Sequence, residues 1–585
     1  MALLVMLYDV DPERRHRCID GIIIDPLPNQ DKLLTHEWSA GNWHLLARHA
    51  PSTPWKQSET PGQFHVIIGK LLDDALNSIT PGTNPAIPLN GFGASLSINT
   101  QSPGLIAHTD FMGTFPLYYA EGRDWAMISS SPWMFRHHPD FSPQWDTEGL
   151  VSLLLSMHLV TGQTVWKGVR RVQAGSRLNW DKQSGFRETQ TYVLTKSEKN
   201  DRDVTDAIAD RLIHIMDAWR DPAVPDAILL SGGLDSRLLA GLLRSRTNRE
   251  VTAYTNGYDT DLDVQCARRV AERLNFRHHV WEYPDRDYLD TFKTATRLEL
   301  ASNGVSSGNM FIAYKTITPG SQVTAGYCLD CLMQSTHYYE SRLSRPYSEK
   351  GVIELYGRWG FSSEIVERLI PGATTREAIQ KVRDHQHAFF EFRQSTDLLE
   401  TALLYEYYFR QRHHIAGMLW RLSFGSWPVV PALDAPLSEM IMSVSSENRT
   451  FRKIEKDILC RRFPHLARVP LDGNDASPKS LLPNHWWNKL ADRARGWEPA
   501  EVPPVTGRQQ LRYYRTLDIN NPAWRKVRGE IESLRVHLHD IFDPVTLSEL
   551  WPGPEANVAM QRPIPESAIR KTLLGLAVIG ASMKK

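Results

Sequence analysis

Residues 231–236, which read SGGLDS, place two glycines, two serines and a carboxylate directly after an apolar run. The glycines let the backbone turn tightly and approach a ligand closely, because neither carries a Cβ atom. The amides of this turn and the serine hydroxyls can converge on an anion, and the dipole of a following helix would assist them. The carboxylate of Asp235 would repel a bound polyphosphate unless a divalent cation lay between them. The segment therefore indicates a phosphate site that takes Mg²⁺.

The elements around this segment alternate between two hydrophobic patterns. Residues 226–230 (DAILL) form a continuous apolar run, which is typical of a strand buried on both faces, and a helical pattern resumes directly after the glycines. Further strand, helix and strand patterns follow over 250–257, 263–275 and 278–283. This alternation predicts βαβ units with a parallel sheet. Ligands of such sheets bind beyond the carboxyl ends of the strands, so SGGLDS lies where a ligand is expected.

The two ends of the chain follow patterns that differ from this middle part. Residues 1 to about 195 contain short β-prone runs separated by Pro, Gly and Asn, which predicts a mostly antiparallel β-rich layer. The polar stretch 195–206 reads as a linker that leads into a helix, with Thr205 as its N-cap, and the C-terminal half is mainly helical in pattern. The length of 585 residues exceeds what one hydrophobic core usually serves, so we predict two domains, 1–198 and 199–585.

Composition and charge argue against several classes of protein. Lys and Arg total 67 and Asp and Glu total 67, so the net charge gives no reason to expect a nucleic acid or a membrane as a partner. Five cysteines in so long a chain are not a disulfide framework, and the C-x-x-C of Cys328 and Cys331 lacks a second pair at zinc-site spacing. No secretory signal is recognised, and the apolar stretch near the C-terminus is too short to span a bilayer. The expected compartment is the cytoplasm.

Five segments, taken together and in order, resemble the asparagine synthetases. SGGLDS resembles the pyrophosphate loop of the N-type ATP pyrophosphatases, and it lacks the ending of a Walker A loop. The other four segments are HTDFMGTFPLYY (108–119), TVWKGVRRVQAGSRLNW (164–180), QVTAGYCLDCLM (322–333) and WPVVPALDAPLSE (427–439). The resemblance implies an α/β fold: an N-terminal glutaminase-like (Ntn-type) αββα β-sandwich, then a parallel-sheet ATP pyrophosphatase (HUP-like) domain with a large helical C-terminal part. It also implies ATP and Mg²⁺ as cofactors, with ATP cleaved between its α and β phosphates.

The resemblance assigns roles to particular side chains. Asp330 takes the place of the family's second Mg²⁺ ligand, Asp235 being the first. Tyr327 stands where asparagine synthetases carry Glu. The similar β-lactam synthetases carry Tyr there, which works with a Glu to deprotonate the attacking amine, and Glu406 is the expected partner in this chain. Lys479 falls where the family places a lysine that offsets charge at the reaction centre. The residues expected to bind ATP and pyrophosphate are Leu229, Ser231, Gly232, Gly233, Asp235, Ser236, Thr255, Asn256, Gly326 and Lys456.

One departure from the family concerns the source of the amine. Asparagine synthetases hydrolyse glutamine with a cysteine at position 2, whereas this sequence has Ala2 there and its Cys18 is internal. The N-terminal domain is therefore expected to keep its fold without glutaminase activity. Together with Tyr327, this departure indicates an AMP-forming carbon–nitrogen ligase that closes an amide within one substrate, as β-lactam synthetases and lasso-peptide macrolactam synthetases do.

Of these two subgroups we favour the macrolactam synthetases, which join the N-terminal amine of a precursor peptide to an internal Asp or Glu side chain. The reasons are the extra helical sequence between Asp330 and Lys479 and beyond, and the 18 Trp residues, a minority of which could line a peptide groove. The expected partners are then a precursor peptide, a leader-cleaving peptidase and a leader-binding protein. The alternatives are a β-lactam synthetase acting on a small β-amino acid, a glutamine-independent asparagine synthetase-like enzyme, and a non-catalytic peptide-binding scaffold.

Overall fold

The chain combines an N-terminal antiparallel β-sandwich, a five-stranded parallel sheet with flanking helices, and a helical C-terminal part. The fold class predicted from the sequence is therefore confirmed. The computed structural model describes residues 3–71, 90–194, 204–282, 287–301, 316–333, 351, 353–354, 357, 359–393, 398–472, 478–497, 517–561 and 563–584. The predicted domain boundary at 198 and most of the predicted linker lie outside the described residues.

In the described residues up to 194, twelve short strands build the N-terminal sandwich. They are β1 (Leu3–Asp9), β2 (Leu34–Ala40), β3 (Trp43–His49), β4 (Trp55–Thr60), β5 (Gln63–Leu71), β6 (Gly91–Asn99), β7 (Gly104–Thr109), β8 (Tyr118–Glu121), β9 (Trp125–Ser129), β10 (Arg170–Arg171), β11 (Ser176–Asp181) and β12 (Gly185–Gln190). They form two six-stranded antiparallel sheets, with the orders β10-β8-β9-β1-β3-β2 and β12-β11-β7-β6-β5-β4. The ring centroid of Tyr8 lies 5.0 Å from that of Trp43 in its own sheet and 4.9 Å from that of Trp180 in the other. The apolar faces of the two sheets are thus buried against each other.

The helices α1 (Pro12–Ile24) and α2 (Thr147–Ser156) accompany the sandwich. α1 begins where it does because the side chain of Asp11 accepts hydrogen bonds from the first free amides and Pro12 has no amide hydrogen to satisfy. It packs on β1 and buries Cys18 and Ile22, one turn apart, on the same face.

Five parallel strands form the second sheet: β13 (Asp226–Leu229), β14 (Val251–Asn256), β15 (Arg277–Trp281), β16 (Gln322–Thr324) and β17 (Trp427–Val429). Their order is β15-β14-β13-β16-β17. The chain moves outward from β13 to β15 and then returns to the other side of β13 to form β16. The strand order therefore reverses between β13 and β16, and such a switch point leaves a crevice at the carboxyl ends of the two neighbouring strands.

Helices precede and connect the strands of this sheet. They are α3 (Thr205–Trp219), α4 (Leu234–Arg246), α5 (Leu262–Arg273), α6 (Tyr288–Glu299) and α7 (Leu329–Leu332). The helix predicted after the linker is α3, but it begins at Thr205 itself, with Val204 in the N-cap position and no capping side chain. The predicted Thr205 cap is therefore wrong, because the first helical turn includes this residue.

The C-terminal part is mainly helical, as predicted. Its helices are α8 (Ser363–Leu369), α9 (Ala373–Arg393), α10 (Leu398–Tyr405), α11 (Ala416–Leu422), α12 (Ala435–Met442), α13 (Ser446–Arg449), α14 (Lys453–Arg462), α15 (Pro464–Ala467), α16 (Trp486–Ala494), α17 (Pro522–Ile531), α18 (Pro544–Leu550) and α19 (Pro563–Met583). A π-helical segment, Glu406–Ile415, joins α10 to α11. Within the described part of the chain, no helix is both long and apolar enough to cross a bilayer. The apolar α19 instead packs against α6.

Candidate functional site

The carboxyl ends of β13 and β16 bring two aspartates together. Asp235 lies in the first turn of α4, after β13, and Asp330 lies in α7, after β16. A Cβ atom built on Gly326 would lie 2.7 Å from the Cβ of Asp235, closer than real Cβ atoms come, so glycine is needed for this approach. Burial raises the pKa of Asp235, the guanidinium of Arg452 opposes that rise, and the negative charge of Asp330 adds to it. The two carboxylates are therefore close enough to act on each other.

The turn 231–236, called here the SGGLDS turn, is held by hydrogen bonds among its own residues. The hydroxyl oxygens of Ser231 and Ser236 lie 2.8 Å apart, and Ser236 Oγ accepts from the Ser231 amide at 3.0 Å. The amide of Gly233 donates to Ser231 Oγ at 3.3 Å. The amide of Gly232 donates to Oδ1 of Asp263, in the first turn of α5, at 2.6 Å. The turn thus has a defined shape. The Gly232 amide, which an anionic ligand would use, is already hydrogen-bonded to the Asp263 carboxylate.

Arg237 on α4 ties the SGGLDS turn to a distant part of the chain. Its side chain is completely buried, and its guanidinium donates to the Gly232 carbonyl oxygen at 3.1 Å. Three further carbonyl oxygens accept from it: Leu466 at 3.2 Å, Val469 at 2.5 Å and Pro470 at 2.7 Å. Burial lowers the pKa of Arg237 to about 10, which still leaves it charged at neutral pH. A planar group with several fixed N–H donors suits this clustering of carbonyls.

The segment that Arg237 holds leads to Lys479. The Asp472 amide donates to the Gly232 carbonyl at 3.0 Å, and the Leu471 amide donates to the Lys479 carbonyl at 3.0 Å. The backbone of Lys479 therefore pairs with Leu471, whose neighbour Asp472 is hydrogen-bonded to the SGGLDS turn. The side chain of Lys479 is exposed.

Arg452 and Glu455 form a charged cluster with Asp235 that the sequence did not indicate. The Arg452 guanidinium contacts Asp235 Oδ1, and its Nε donates to Glu455 Oε2 at 2.7 Å. Glu455 is fully buried, and burial raises its pKa to about 8 against the lowering effect of Arg452. Lys456, a predicted phosphate contact, follows Glu455 on α14 and is half-buried. An Arg three residues before a Glu is an ordinary helical ion-pair spacing, so no local signal could have distinguished this pair.

Tyr327 and Glu406 lie around the turn that carries the second aspartate. Tyr327 is half-buried, and the following Cys328 adopts φ +64°, after which α7 begins. Glu406 is buried at the first residue of the π-helical segment, where its Oε1 accepts from Arg410 Nη1 at 2.9 Å and from Gln411 Nε2 at 3.0 Å. Burial raises the pKa of the Cys328 thiol well above its usual value, and the charges of the second aspartate and of Glu406 add to the rise. Glu406 therefore lies near the turn that begins with Tyr327.

The end of β14 borders the same crevice, since β14 pairs with β13. Thr255 Oγ1 donates to the Leu230 carbonyl at 2.8 Å, and Asn256 Nδ2 donates to the Trp281 carbonyl at 3.0 Å. Both side chains thus hold neighbouring strand ends together. Leu229 is the half-buried last residue of β13.

The side chains at the crevice fit a divalent cation that a substrate helps to hold. Among the described residues, no group of three His, Cys, Asp or Glu side chains could hold a metal ion on its own. Asp235 and Asp330 supply two carboxylates, and phosphate oxygens and water would complete the shell, which is how Mg²⁺ is usually bound at phosphate sites. Cys328 and Cys331 are buried free thiols, and burial raises their pKa values well above the usual range.

The N-terminal sandwich offers no reactive thiol. Cys18 is the single cysteine in the sequence before residue 200. It is buried on α1, and burial raises the pKa of its thiol to about 12. A thiol that is buried and protonated is not a nucleophile.

Comparison with known proteins gives a family match for the part of the chain that carries the crevice. Residues 208–470 match the asparagine synthase family. Over 231 residues the chain is 24% identical to the glutamine-hydrolyzing asparagine synthetase 3 of Bacillus subtilis (strain 168), and the match covers 35% of this chain and 37% of that protein. The chain thus spans little more than a third of the length of this curated relative. The family match therefore covers residues 208–470, which are less than half of the chain.

Two solved structures are also similar in part. One is the glutamine phosphoribosylpyrophosphate amidotransferase from B. subtilis complexed with ADP and GMP, at 10% identity and a TM-score of 0.21, over 48% of this chain and 65% of that chain. The other is described as the allosteric regulatory enzyme of purine biosynthesis, at 11% identity and a TM-score of 0.20, over 48% of this chain and 80% of that chain.

Proposed function

We propose that this chain is an ATP-dependent, AMP-forming carbon–nitrogen ligase that closes an amide within one substrate. In the form we favour, it activates an Asp or Glu side chain of a peptide and joins it to the N-terminal amine of the same peptide, which gives a macrolactam. The observation that carries the proposal is the meeting of Asp235 and Asp330 beside the SGGLDS turn, at the switch point of the parallel sheet. This arrangement suits a triphosphate whose pyrophosphate leaves between backbone amides and a cation.

In the first step, an oxygen of the substrate carboxylate attacks the α-phosphorus of ATP. The bond from that phosphorus to the oxygen bridging to the β-phosphate breaks, so pyrophosphate leaves and an acyl-adenylate remains. Mg²⁺ held by Asp235 and Asp330 would neutralise charge on the pyrophosphate. The contribution of the chain itself is the SGGLDS turn, which Arg237 clamps through the Gly232 carbonyl, so that its amides are oriented before the reaction begins.

In the second step, the amine nitrogen of the same substrate attacks the acyl carbon, the bond from that carbon to AMP breaks, and the nitrogen loses a proton. Tyr327, half-buried at the turn before Asp330, is the residue we assign to take that proton while its own phenolic proton passes to Glu406, so the carboxylate is the final acceptor. Lys479 carries an exposed ammonium on the segment beside the SGGLDS turn and would act in the first step, where it would offset negative charge at the transition state for acyl-adenylate formation and on the leaving pyrophosphate.

An amine supplied by the substrate suits this chain better than ammonia released from glutamine. The sandwich holds a single, buried thiol, Cys18, whose raised pKa of about 12 leaves no thiolate to attack glutamine. A site that holds both ends of one substrate also avoids a bimolecular step, which in favourable cases contributes roughly 7–11 kcal/mol to lowering the barrier.

A peptide is favoured over a small β-amino acid by an exposed aromatic surface on the helix that follows Lys479 in the chain. Helix α16, which follows Lys479 in the chain, presents Trp486 and Trp487 with exposed fractions of 68% and 52%. Tryptophan is enriched among residues that anchor partners at interfaces. A leader-cleaving peptidase and a leader-binding protein are the further partners that this function would require.

Mass spectrometry of the chain incubated with Mg·ATP and precursor peptides tests the proposal. We expect a product lighter by one water, with AMP and pyrophosphate formed in equal amounts. Peptides with an acetylated N-terminus, or with the acceptor Asp or Glu changed to Asn or Gln, are the controls and should remain unmodified. Asp235→Asn should abolish peptide-dependent exchange of labelled pyrophosphate into ATP, whereas Asp217→Asn, on the exposed side of α3, should not.

Each other result identifies a different function. Loss of water from a small β-amino acid, with peptides unchanged, would replace macrolactam closure by β-lactam closure. Asparagine formed from aspartate and ammonia would replace intramolecular closure altogether. Peptide binding without any pyrophosphate exchange would refute the ligase proposal in favour of a scaffold.

A further inference from the structure

A guanidinium lies among three carboxylates at the crevice. Arg452 contacts Asp235 and Glu455, and the charge of Asp330 also acts on it. The exposed fraction of the side chain is 0% for Glu455, 14% for Arg452 and 21% for Asp235. The guanidinium therefore has a fully buried acid on one side and a partly solvent-exposed aspartate on the other.

Two polar groups of this cluster lack partners. Oε1 of Glu455 is buried and accepts no hydrogen bond from any described residue. Arg452 donates through Nε and Nη2, which leaves its Nη1 without an acceptor in the described part of the chain. Buried polar atoms are normally satisfied, which Glu455 Oε1 is not, and Nη1 belongs to a partly exposed side chain that solvent or a ligand can reach, so the cluster has capacity for a ligand that brings additional oxygen atoms or protons.

The backbone fixes the position of Arg452. Phe451 has φ +60° and Arg452 has φ +58°, a left-handed conformation that residues with a Cβ atom rarely adopt. Helix α14 begins at the next residue, Lys453. The guanidinium is thus held at the start of a helix by a conformation that the surrounding packing must impose.

We infer that Arg452 is a phosphate-binding residue of the synthetase site, whose guanidinium exchanges Asp235 for the pyrophosphate of a bound nucleotide while Glu455 keeps hold of Nε. The inference rests on the proposed function, because it takes the crevice to bind a nucleoside triphosphate with a divalent cation. The cation would replace Arg452 as the partner of Asp235, and the phosphates would replace Asp235 as the partner of Arg452. Every charge stays paired in both states, and the planar guanidinium matches phosphate oxygens geometrically.

Two titrations of Arg452→Ala test this exchange. Mn²⁺ alone, followed by electron paramagnetic resonance, should bind at least about tenfold more tightly, because Asp235 has lost a competing positive charge. Mg²⁺-pyrophosphate, followed by calorimetry, should bind at least about tenfold more weakly, because a charged donor to the phosphates is gone. Lys453→Ala removes the neighbouring exposed cation, which pairs with Asp457, and is the matched control that should change neither affinity.

If Arg452→Ala binds both Mn²⁺ and Mg²⁺-pyrophosphate more weakly than the wild type, Arg452 has a structural role. If the variant binds both more tightly, Arg452 only blocks the metal site. Either result overturns the inference. If Arg452→Ala does not fold by circular dichroism, the double variant Arg452→Gln/Glu455→Gln removes one charge of each sign and is titrated in the same way. Wild-type protein that binds Mg²⁺-pyrophosphate but shows no substrate-dependent exchange would refute the proposed function and leave this inference standing. Active wild-type protein with unchanged pyrophosphate binding in the variant would refute this inference alone.

Discussion

Replacing Arg237 with methionine should loosen the SGGLDS turn and residues 466–470 together. Methionine keeps an unbranched apolar stem inside the core but removes the guanidinium that donates to carbonyl oxygens of both segments. Because the side chain is completely buried, water cannot take over these hydrogen bonds without opening the structure. The two segments lie far apart in the sequence, so a joint response would identify this side chain as what couples them.

The magnitude follows from two opposing effects. A hydrogen bond from a charged donor contributes about 1.5–3 kcal/mol, and a buried carbonyl left unpaired costs about 1–3 kcal/mol. Against this, removing a buried charge recovers several kcal/mol of desolvation free energy. This penalty applies to Arg237, since burial lowers the pKa of its guanidinium to about 10. With four carbonyls affected, we expect a net loss of about 3 kcal/mol, or on the order of 100-fold in the local opening equilibrium.

Hydrogen exchange read by mass spectrometry measures this opening locally, which suits a chain of several structural units. Peptides covering 228–240 and 464–472 should exchange on the order of 100-fold faster in Arg237→Met, whereas α1 in the sandwich should not change. Arg246→Met on the same helix is the matched control: its guanidinium pairs with Asp217 at the surface and its loss should change exchange by less than about threefold. Exchange like that of the wild type, or acceleration in only one of the two peptides, would show that Arg237 does not couple the two segments.

Three other substitutions have defined outcomes. Burial lowers the pKa of His158 in the folded chain to about 3. In the unfolded chain the pKa of this histidine is about 6.5, so between these two pH values the unfolded chain binds a proton that the folded chain does not. The free energy of unfolding therefore decreases as the pH falls from 6.5 towards 3. His158→Phe should therefore narrow the difference in melting temperature between about pH 7.5 and about pH 5, and an unchanged difference would exclude this residue as a cause. Tyr327→Phe should slow amide formation by about 100-fold or more while leaving pyrophosphate exchange within about threefold of the wild type, because the amine loses its proton only after adenylation. Loss of both amide formation and pyrophosphate exchange would contradict the assignment of Tyr327 to the second step. Lys479→Met should lower pyrophosphate exchange by about 100-fold, with partial recovery in Lys479→Arg, and unchanged exchange would remove Lys479 from the site.

The elements that carry the crevice could be predicted from local pattern. β13 and α4 occupy the apolar run and the helical pattern on either side of SGGLDS, and β14, α5 and β15 follow the predicted alternation. These predictions succeeded because hydrophobic period and the need for glycine in a tight turn act over a few neighbouring residues.

Other elements carry no such local signal. β2 and β4 are edge strands of the sandwich, and their residues are largely exposed and polar, so no apolar run marked them in the sequence. Their strand conformation depends on a neighbour that the chain supplies from elsewhere, since strand preference is mostly a matter of fitting a partner.

Local sequence is enough to specify a strand that turns at two glycines into a helix carrying Asp235, and a parallel sheet around it, because short-range sterics and periodic burial enforce both. Packing of the whole chain, in contrast, sets the approach of Asp330 to Asp235, the position of Arg452 beside them and the contacts that join Arg237 to residues 466–470. Asp330 reaches Asp235 because β13 and β16 are neighbours in the sheet, which brings the loops that follow these two strands to one edge. The order of strands is a property of how the whole chain packs, and no run of neighbouring residues specifies it.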